Sequence, residues 1–210
     1  MKKLKSVNDF VVRFANVNGS GSASANNMFA KAVFRTGIPV SPKNIFPSNI
    51  QGLPTWYEVR ISEKGYLGRR GGYDFIVAVN GMTLKKDYDN LNPGGYFFYD
   101  STKSLTDAYT RDDISLIGMP LTDICNREIE NPKLRPLLKN IIYIGALAYL
   151  FDMDLNVLTD SITKQFSKKP KLAEPNIKSL QLGFDYAAEH FADVCELRIV
   201  KSDKAINHIL

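Results

Sequence analysis

Phe10-Val11-Val12-Arg13-Phe14-Ala15 is a short apolar run that breaks at once into small and polar residues, Asn16-Val17-Asn18-Gly19-Ser20-Gly21-Ser22-Ala23-Ser24-Ala25-Asn26-Asn27. That order predicts a strand, a tight turn and a helix start, with the helix running from about Ala23 to Thr36 and stopping at Gly37. Ile38-Pro39-Val40 reads as a short second strand, which completes a βαβ-like beginning. From Ser41 to Thr55 the pattern lapses into a long loop with three prolines and several amides. It also holds the apolar Ile45, Phe46, Ile50 and Leu53, and a stretch of that length inside a domain points to function or to an interface.

Strict alternation returns at Trp56-Tyr57-Glu58-Val59-Arg60-Ile61, a strand with Trp56, Glu58 and Arg60 on one side and Tyr57, Val59 and Ile61 on the other. Lys64-Gly65 is a turn signal, Tyr66-Leu67-Gly68 a possible returning hairpin arm, and Arg69-Arg70-Gly71-Gly72 a basic connection. Tyr73 to Asn80 is nearly continuously apolar and β-rich, the pattern of a parallel strand buried on both faces. Asn80-Gly81 then turns into a helix across Leu84, Tyr88 and Leu91, and Pro93-Gly94-Gly95 returns the chain to a strand at Tyr96-Phe97-Phe98-Tyr99-Asp100.

Ile114 to Gly118 reads as a further short strand, followed by a helix through Ile124, Cys125 and Ile129. Asn140 to Leu150 is the most apolar helix, in which Gly145 permits close packing. Two amphipathic helices follow, Leu155 to Phe166 and Ile177 to Phe191, with Asp154 and Asn176 as caps and Lys168 to Pro175 as the link between them. The tail from Cys195 to Leu210 is extended and apolar at its tip, which suggests that it pairs with something beyond itself, such as a following domain. These elements predict an α/β chain: a three-layer α/β/α arrangement on a Rossmann-like, mostly parallel but mixed sheet, with a helical C-terminal part. Residues 1–192 form the α/β domain and 193–210 the connector.

Composition narrows the functional classes. With 210 residues and 44% hydrophobic content the chain can bury a single-domain core. It carries 27 Lys plus Arg against 22 Asp plus Glu, but the basic residues are scattered or paired, which argues against a nucleic-acid surface. Cys125 and Cys195 stand far apart and form no metal-binding pair, so no metal site is expected; His190 and His208 both fall near the C-terminus, outside any serine–histidine–acid ordering. The apolar run Ile141 to Phe151 is too short to span a bilayer, and a reducing cytoplasm is the natural compartment.

Candidate chemistry gathers at the glycine turn. Gly19 and Gly21 let the backbone take positive φ, and the helix that follows offers free N–H groups and the positive end of its dipole, a natural seat for phosphate or carboxylate. The dinucleotide fingerprint is incomplete, because Ser24 stands where its third glycine belongs, and the second strand ends in Ser41-Pro42-Lys43 without a ribose-binding acid. A stand-alone nucleotide-binding dehydrogenase, a regulatory module and a scaffold subunit without a ligand are the alternatives that the residues leave open.

The run Asn18 to Asn26 together with Lys43-Asn44-Ile45-Phe46-Pro47-Ser48-Asn49-Ile50-Gln51-Gly52-Leu53-Pro54-Thr55-Trp56 resembles the gamma domain of 2-oxoacid:ferredoxin oxidoreductases. Within that family the likeness is to the N-terminal part of fused gamma–alpha subunits of 2-oxoglutarate-type enzymes, and it covers nearly the whole chain. The resemblance implies a component, inactive alone, of a complex that decarboxylates a 2-oxoacid oxidatively and forms an acyl-coenzyme A. Thiamine diphosphate, Mg2+ and iron–sulfur clusters would sit in partner domains or subunits, namely an alpha domain, which could be the continuation of this chain, and a thiamine-binding beta subunit, with ferredoxin as acceptor. No nucleic acid and no membrane are implied. By the same resemblance Gly19, Ser20, Gly21 and Ser22 would cradle a phosphate of coenzyme A, with Ser48, Asn49, Gln51 and Gly52 facing the same cleft. Many relatives carry Arg-Gly-Gly where this chain has Gln51-Gly52-Leu53, so a cation of the family pattern is missing there. Neither composition nor resemblance identifies a catalytic residue.

Overall fold

Lys5–Val7 (β1) leads into Asp9–Val17 (β2), which is buried at every position between its two ends and therefore lies inside a sheet. The computed structural model describes residues 3–46, 54–68 and 70–202. Val40–Ile45 (β3), Pro54–Ser62 (β4), Tyr73–Ala78 (β5), Leu91–Asp100 (β6) and Ser115–Met119 (β7) join β2 in one sheet of order β3-β4-β2-β5-β6-β7. β2, β5, β6 and β7 are parallel neighbours, and β4 alone runs against the rest. The mixed, mostly parallel sheet expected from the pattern is therefore present.

Ser22–Arg35 (α1) and Arg135–Leu150 (α4) cover one face. They bury the inward side chains of β2, β4, β5 and β6, among them Phe14, Val59, Phe75 and Phe98. Leu121–Glu128 (α3) and Leu155–Gln165 (α5) flank them, and Pro170–His190 (α6) packs on the back of α4. Gly145 and Gly183 make that last contact possible: a Cβ on Gly183 would overlap the Ile142 carbonyl oxygen, and one on Gly145 the Leu180 carbonyl. The other face is closed by Leu84–Asp89 (α2) and the chain before β7, over a smaller cluster of Val11, Tyr73, Ile76, Tyr88 and Phe97. Helices thus lie on both sides, with most of the helical mass on one.

Several elements differ from the pattern reading. The loop expected from Ser41 to Thr55 is instead strand as far as Ile45 and again from Pro54, an antiparallel hairpin at the sheet edge whose Pro42, Lys43 and Asn44 are exposed. Pro42 has no N–H to lose there, and a polar edge strand carries no apolar period. The first crossover joins parallel-running β2 and β3, but β4 is slotted between them. Tyr66 to Gly68 forms no strand, and Leu91 opens β6 instead of closing α2. Lys168 to Pro175 is mostly helical, since α6 begins at Pro170 with that residue in the first turn, where a missing N–H costs nothing. Asn176 is consequently inside the helix, donating to the Leu172 carbonyl at 2.7 Å, whereas Asp154 does cap α5 by accepting from the Asn156 N–H at 2.9 Å. At the C-terminus Glu196–Arg198 (β8) pairs in parallel with β1 of the same chain, and Cys195, Leu197 and Ile199 are buried in the main core.

Candidate functional site

α1 leaves β2 across one face of the sheet and travels toward β3, while α2 leaves β5 across the other face and travels toward β6. The connections from two adjacent parallel strands therefore part company, and a crevice opens at the carboxyl ends of β2 and β5, the place where open α/β sheets bind their ligands. The glycine turn 18–21 ends β2 at that crevice, and Asn80 to Thr83 ends β5 beside it. Antiparallel β4 lies next to β2 on the other side, so the parallel strand whose tip would carry a ribose-binding acid has no counterpart there.

The turn has the backbone its sequence calls for. Gly19 and Gly21 sit at φ +82° and +75°, and Gly21 is the residue before α1. Among the described residues no side chain caps α1, and no acid lies in its first turn, so its first N–H groups are left for something else. Asn140 of α4 fixes the turn from behind by donating to the Ser20 carbonyl at 2.8 Å. Below it lies a buried polar network: Tyr143 O–H donates to Asn26 Oδ1 at 2.7 Å, Asn26 Nδ2 to Asn16 Oδ1 at 2.9 Å, and Asn80 Nδ2 to the Asn16 carbonyl at 3.1 Å. Burial pushes the Tyr143 phenol well above its ordinary value, so it stays a neutral donor and the network carries no charge of its own. Such satisfied buried bonds hold the ends of β2, β5, α1 and α4 in one arrangement.

Clefts open on both sides of the turn. One, of about 350 Å3, lies toward the hairpin and is walled by Asn18, Ser22, Ala23, Asn44, Trp56 and Tyr57. Burial raises the Tyr57 phenol to about 12, and its O–H donates to Asn27 at 3.3 Å. The other, of about 360 Å3, lies toward α3 and α4 and is walled by Ser20, Thr122, Cys125, Arg135 and Lys139. Burial raises the Cys125 thiol to about 11, which leaves it protonated and a poor nucleophile at neutral pH. Among the described residues no three His, Cys, Asp or Glu side chains gather as a metal site, and no helix is long and apolar enough to cross a membrane.

Against protein families, residues 11–186 match the model described as pyruvate ferredoxin/flavodoxin oxidoreductase. The chain belongs to this family. Among curated oxidoreductase subunits, it is 24% identical to 2-oxoglutarate synthase subunit KorC of Archaeoglobus fulgidus, over 95% of this chain and 94% of that one. It is 21% identical to 2-oxoglutarate oxidoreductase subunit KorA of Mycobacterium tuberculosis, over 84% of this chain but 30% of the longer one. The chain thus spans about a third of the longer relatives it matches. Among solved structures, the 2-oxoglutarate:ferredoxin oxidoreductase of Magnetococcus marinus, with 2-oxoglutarate, coenzyme A and succinyl-CoA bound, superposes with a TM-score of 0.81 at 24% identity, over 92% of this chain and 33% of that one. The keto/oxoacid ferredoxin oxidoreductase gamma subunit of Geobacter sulfurreducens does so with 0.68 at 19% identity, over 86% and 99%.

For this member of the pyruvate ferredoxin/flavodoxin oxidoreductase family, Gly19, Ser20, Gly21 and Ser22 come together at the crevice, with Gly19, Gly21 and Ser22 bordering the first cleft and Ser20 the second. Ser48, Asn49, Gln51 and Gly52 lie outside the described residues; Phe46 and Thr55, which flank that segment, border the first cleft. Arg135 and Lys139 lie outside the helix expected from Asn140, because α4 begins a turn and a half earlier, and Asn140 and Tyr143 lie within it but on a helix whose apolar pattern reads as core. The available signal was a pair of cations four residues apart at the head of an otherwise apolar helix.

Proposed function

We propose that this chain is the gamma-type component of a 2-oxoacid:ferredoxin oxidoreductase of the 2-oxoglutarate type, and that its glycine turn holds a phosphate of coenzyme A at an active site shared with partner domains. The observation that carries the reading is the uncapped α1 N-terminus, set at the switch point of the sheet and facing an amide-lined cleft. Relatives of matching length and longer ones are both named as subunits of 2-oxoglutarate enzymes, which supports the substrate class. In this reading thiamine diphosphate, Mg2+ and the clusters belong to partners, a beta subunit supplies the thiamine site, an alpha domain completes the shared site, and ferredoxin takes the electrons in the cytoplasm. This chain's own task is to bind and orient: the α1 N–H groups neutralise phosphate charge, and the Asn16–Asn26–Tyr143 network keeps them aimed.

Ala23→Asp tests this. Ala23 is exposed in the first turn of α1 and lines the cleft. A carboxylate there suits the helix dipole and should leave stability unchanged or raise it by about 0.5 kcal/mol, while repelling an incoming phosphate. In the assembled oxidoreductase we expect the KM for coenzyme A to rise at least about tenfold. An unchanged KM in an assembled, stable variant would overturn the placement. Gly21 is a poorer target, since any Cβ there meets the Leu137 side chain and strains the positive φ.

A further inference from the structure

The cleft toward α3 and α4 differs in charge from its neighbour. Among the described residues no Lys or Arg side chain walls the hairpin-side cleft, whereas Arg135 and Lys139 stand one helical turn apart on the wall of the other. Arg135 donates to the Ile129 carbonyl and to Asn126 Oδ1, both neutral, and pairs with no carboxylate among the described residues. Its position in the first turn of α4, where the dipole is positive and no acid balances it, is unfavourable for a cation unless an anion arrives. Lys139 lies 3.6 Å from Asp100, but that carboxylate is already engaged by the Thr122 hydroxyl at 2.5 Å and by the N–H groups of Thr122 and Thr102. Ser20 Oγ lies on the same wall, shielded from solvent and without a hydrogen-bond partner among the described residues. A buried hydroxyl left unpaired is costly, and a ligand in this cleft would relieve it.

Resting on the coenzyme A reading, we propose that this cleft is a second anion subsite, in which Arg135, Lys139 and Ser20 receive the 3′-phosphate of coenzyme A while the α1 N-terminus across the turn receives the diphosphate. The phosphomonoester carries close to two negative charges and calls for side-chain cations. The diphosphate oxygens suit a row of backbone donors. The turn between the clefts then acts as a ridge that the ribose straddles.

The test compares coenzyme A with 3′-dephospho-coenzyme A on the assembled oxidoreductase, by calorimetric Kd and by KM. The unaltered enzyme should prefer coenzyme A by about tenfold to a hundredfold. Lys139→Gln should cut that preference, and Arg135→Gln with Lys139→Gln should reduce it to within about threefold, leaving the affinity for the dephosphorylated ligand unchanged. Lys139→Gln alone removes only the long, part-buried contacts to Asp100 at 3.6 Å and to the Thr122 hydroxyl at 3.4 Å, and guards against a folding defect in the double variant. Ala23→Asp should weaken both ligands alike. If it does so while the double variant keeps the full preference, the second subsite is refuted and the coenzyme A reading stands. If the unaltered enzyme shows no preference, the subsite is likewise refuted. If it binds neither ligand, both proposals fall.

Discussion

The two faces of the sheet are closed by opposite means. On the α1–α4 face the filling is aromatic and aliphatic: the Phe75 ring meets Phe151 edge-on at 4.9 Å and stacks with Tyr96 and Phe98 at 6.0 and 6.5 Å. Behind it the α4 and α6 backbones touch through their glycines. On the α2 face charge is buried. The Arg13 guanidinium lies between the rings of Trp56 and Tyr73, 4.8 and 4.4 Å from their centroids, with Asp87 4.0 Å away and wholly buried. Trp56 Nε1–H donates to Asp87 at 2.8 Å, and Tyr73 O–H to buried Glu58 at 2.6 Å. The first face therefore fails when an atom is added, the second when a partner is removed.

The sharpest way to break that contrast is Gly183→Ala. Its single methyl would force α6 off α4, and we expect a loss of about 3 kcal/mol or more, read as a shift in the urea midpoint, although alanine is the better helix former. Next comes Arg13→Leu, which keeps apolar bulk between the two rings but strips Asp87 of its cation. About 2 kcal/mol should be lost at neutral pH. The loss should shrink in acid, where Asp87 takes a proton and needs no cation. The smallest effect is expected from Asp87→Asn. Burial, outweighing the Thr83, Trp56 and Arg13 contacts, holds the Asp87 carboxyl above its ordinary 3.8. The folded state thus keeps this proton to higher pH than the unfolded chain, and its contribution to stability falls as pH rises from 3.8 through the folded value. The variant should lose that decline in unfolding measured between about pH 4 and 7. A decline that persists unchanged would show that Asp87 is not its source.

Much of the fold was legible because it is local. The β2–turn–α1 unit, the fully buried β5 and the apolar α4 with Gly145 each carry their period or their glycine within a dozen residues. The hairpin of β3 was hidden because an edge strand with Pro42 and Lys43 is built to look unlike a strand, and the head of α6 because Pro170 and Pro175 read as breakers although the first helical turn accepts proline. The candidate site divides in the same way. Its turn is local and could be read directly, but Asn140 and Tyr143 reach Ser20 and Asn26 across more than a hundred residues, and only the packing of α4 over β2 brings them there.

The pairing of β1 with β8 brings the first and last described strands together. Lys5 faces Glu196 in register, Leu4 donates to the Gly94 carbonyl at the start of β6, and Ser202 donates to the Thr36 carbonyl at the far end of α1. Both described ends thus lie toward the amino ends of the parallel strands, opposite the crevice at their carboxyl ends. A unit wired in this way is a cartridge. It can be spliced into a longer polypeptide or made by itself with the crevice left open, as befits relatives of which it matches about a third in one case and nearly the whole length in another.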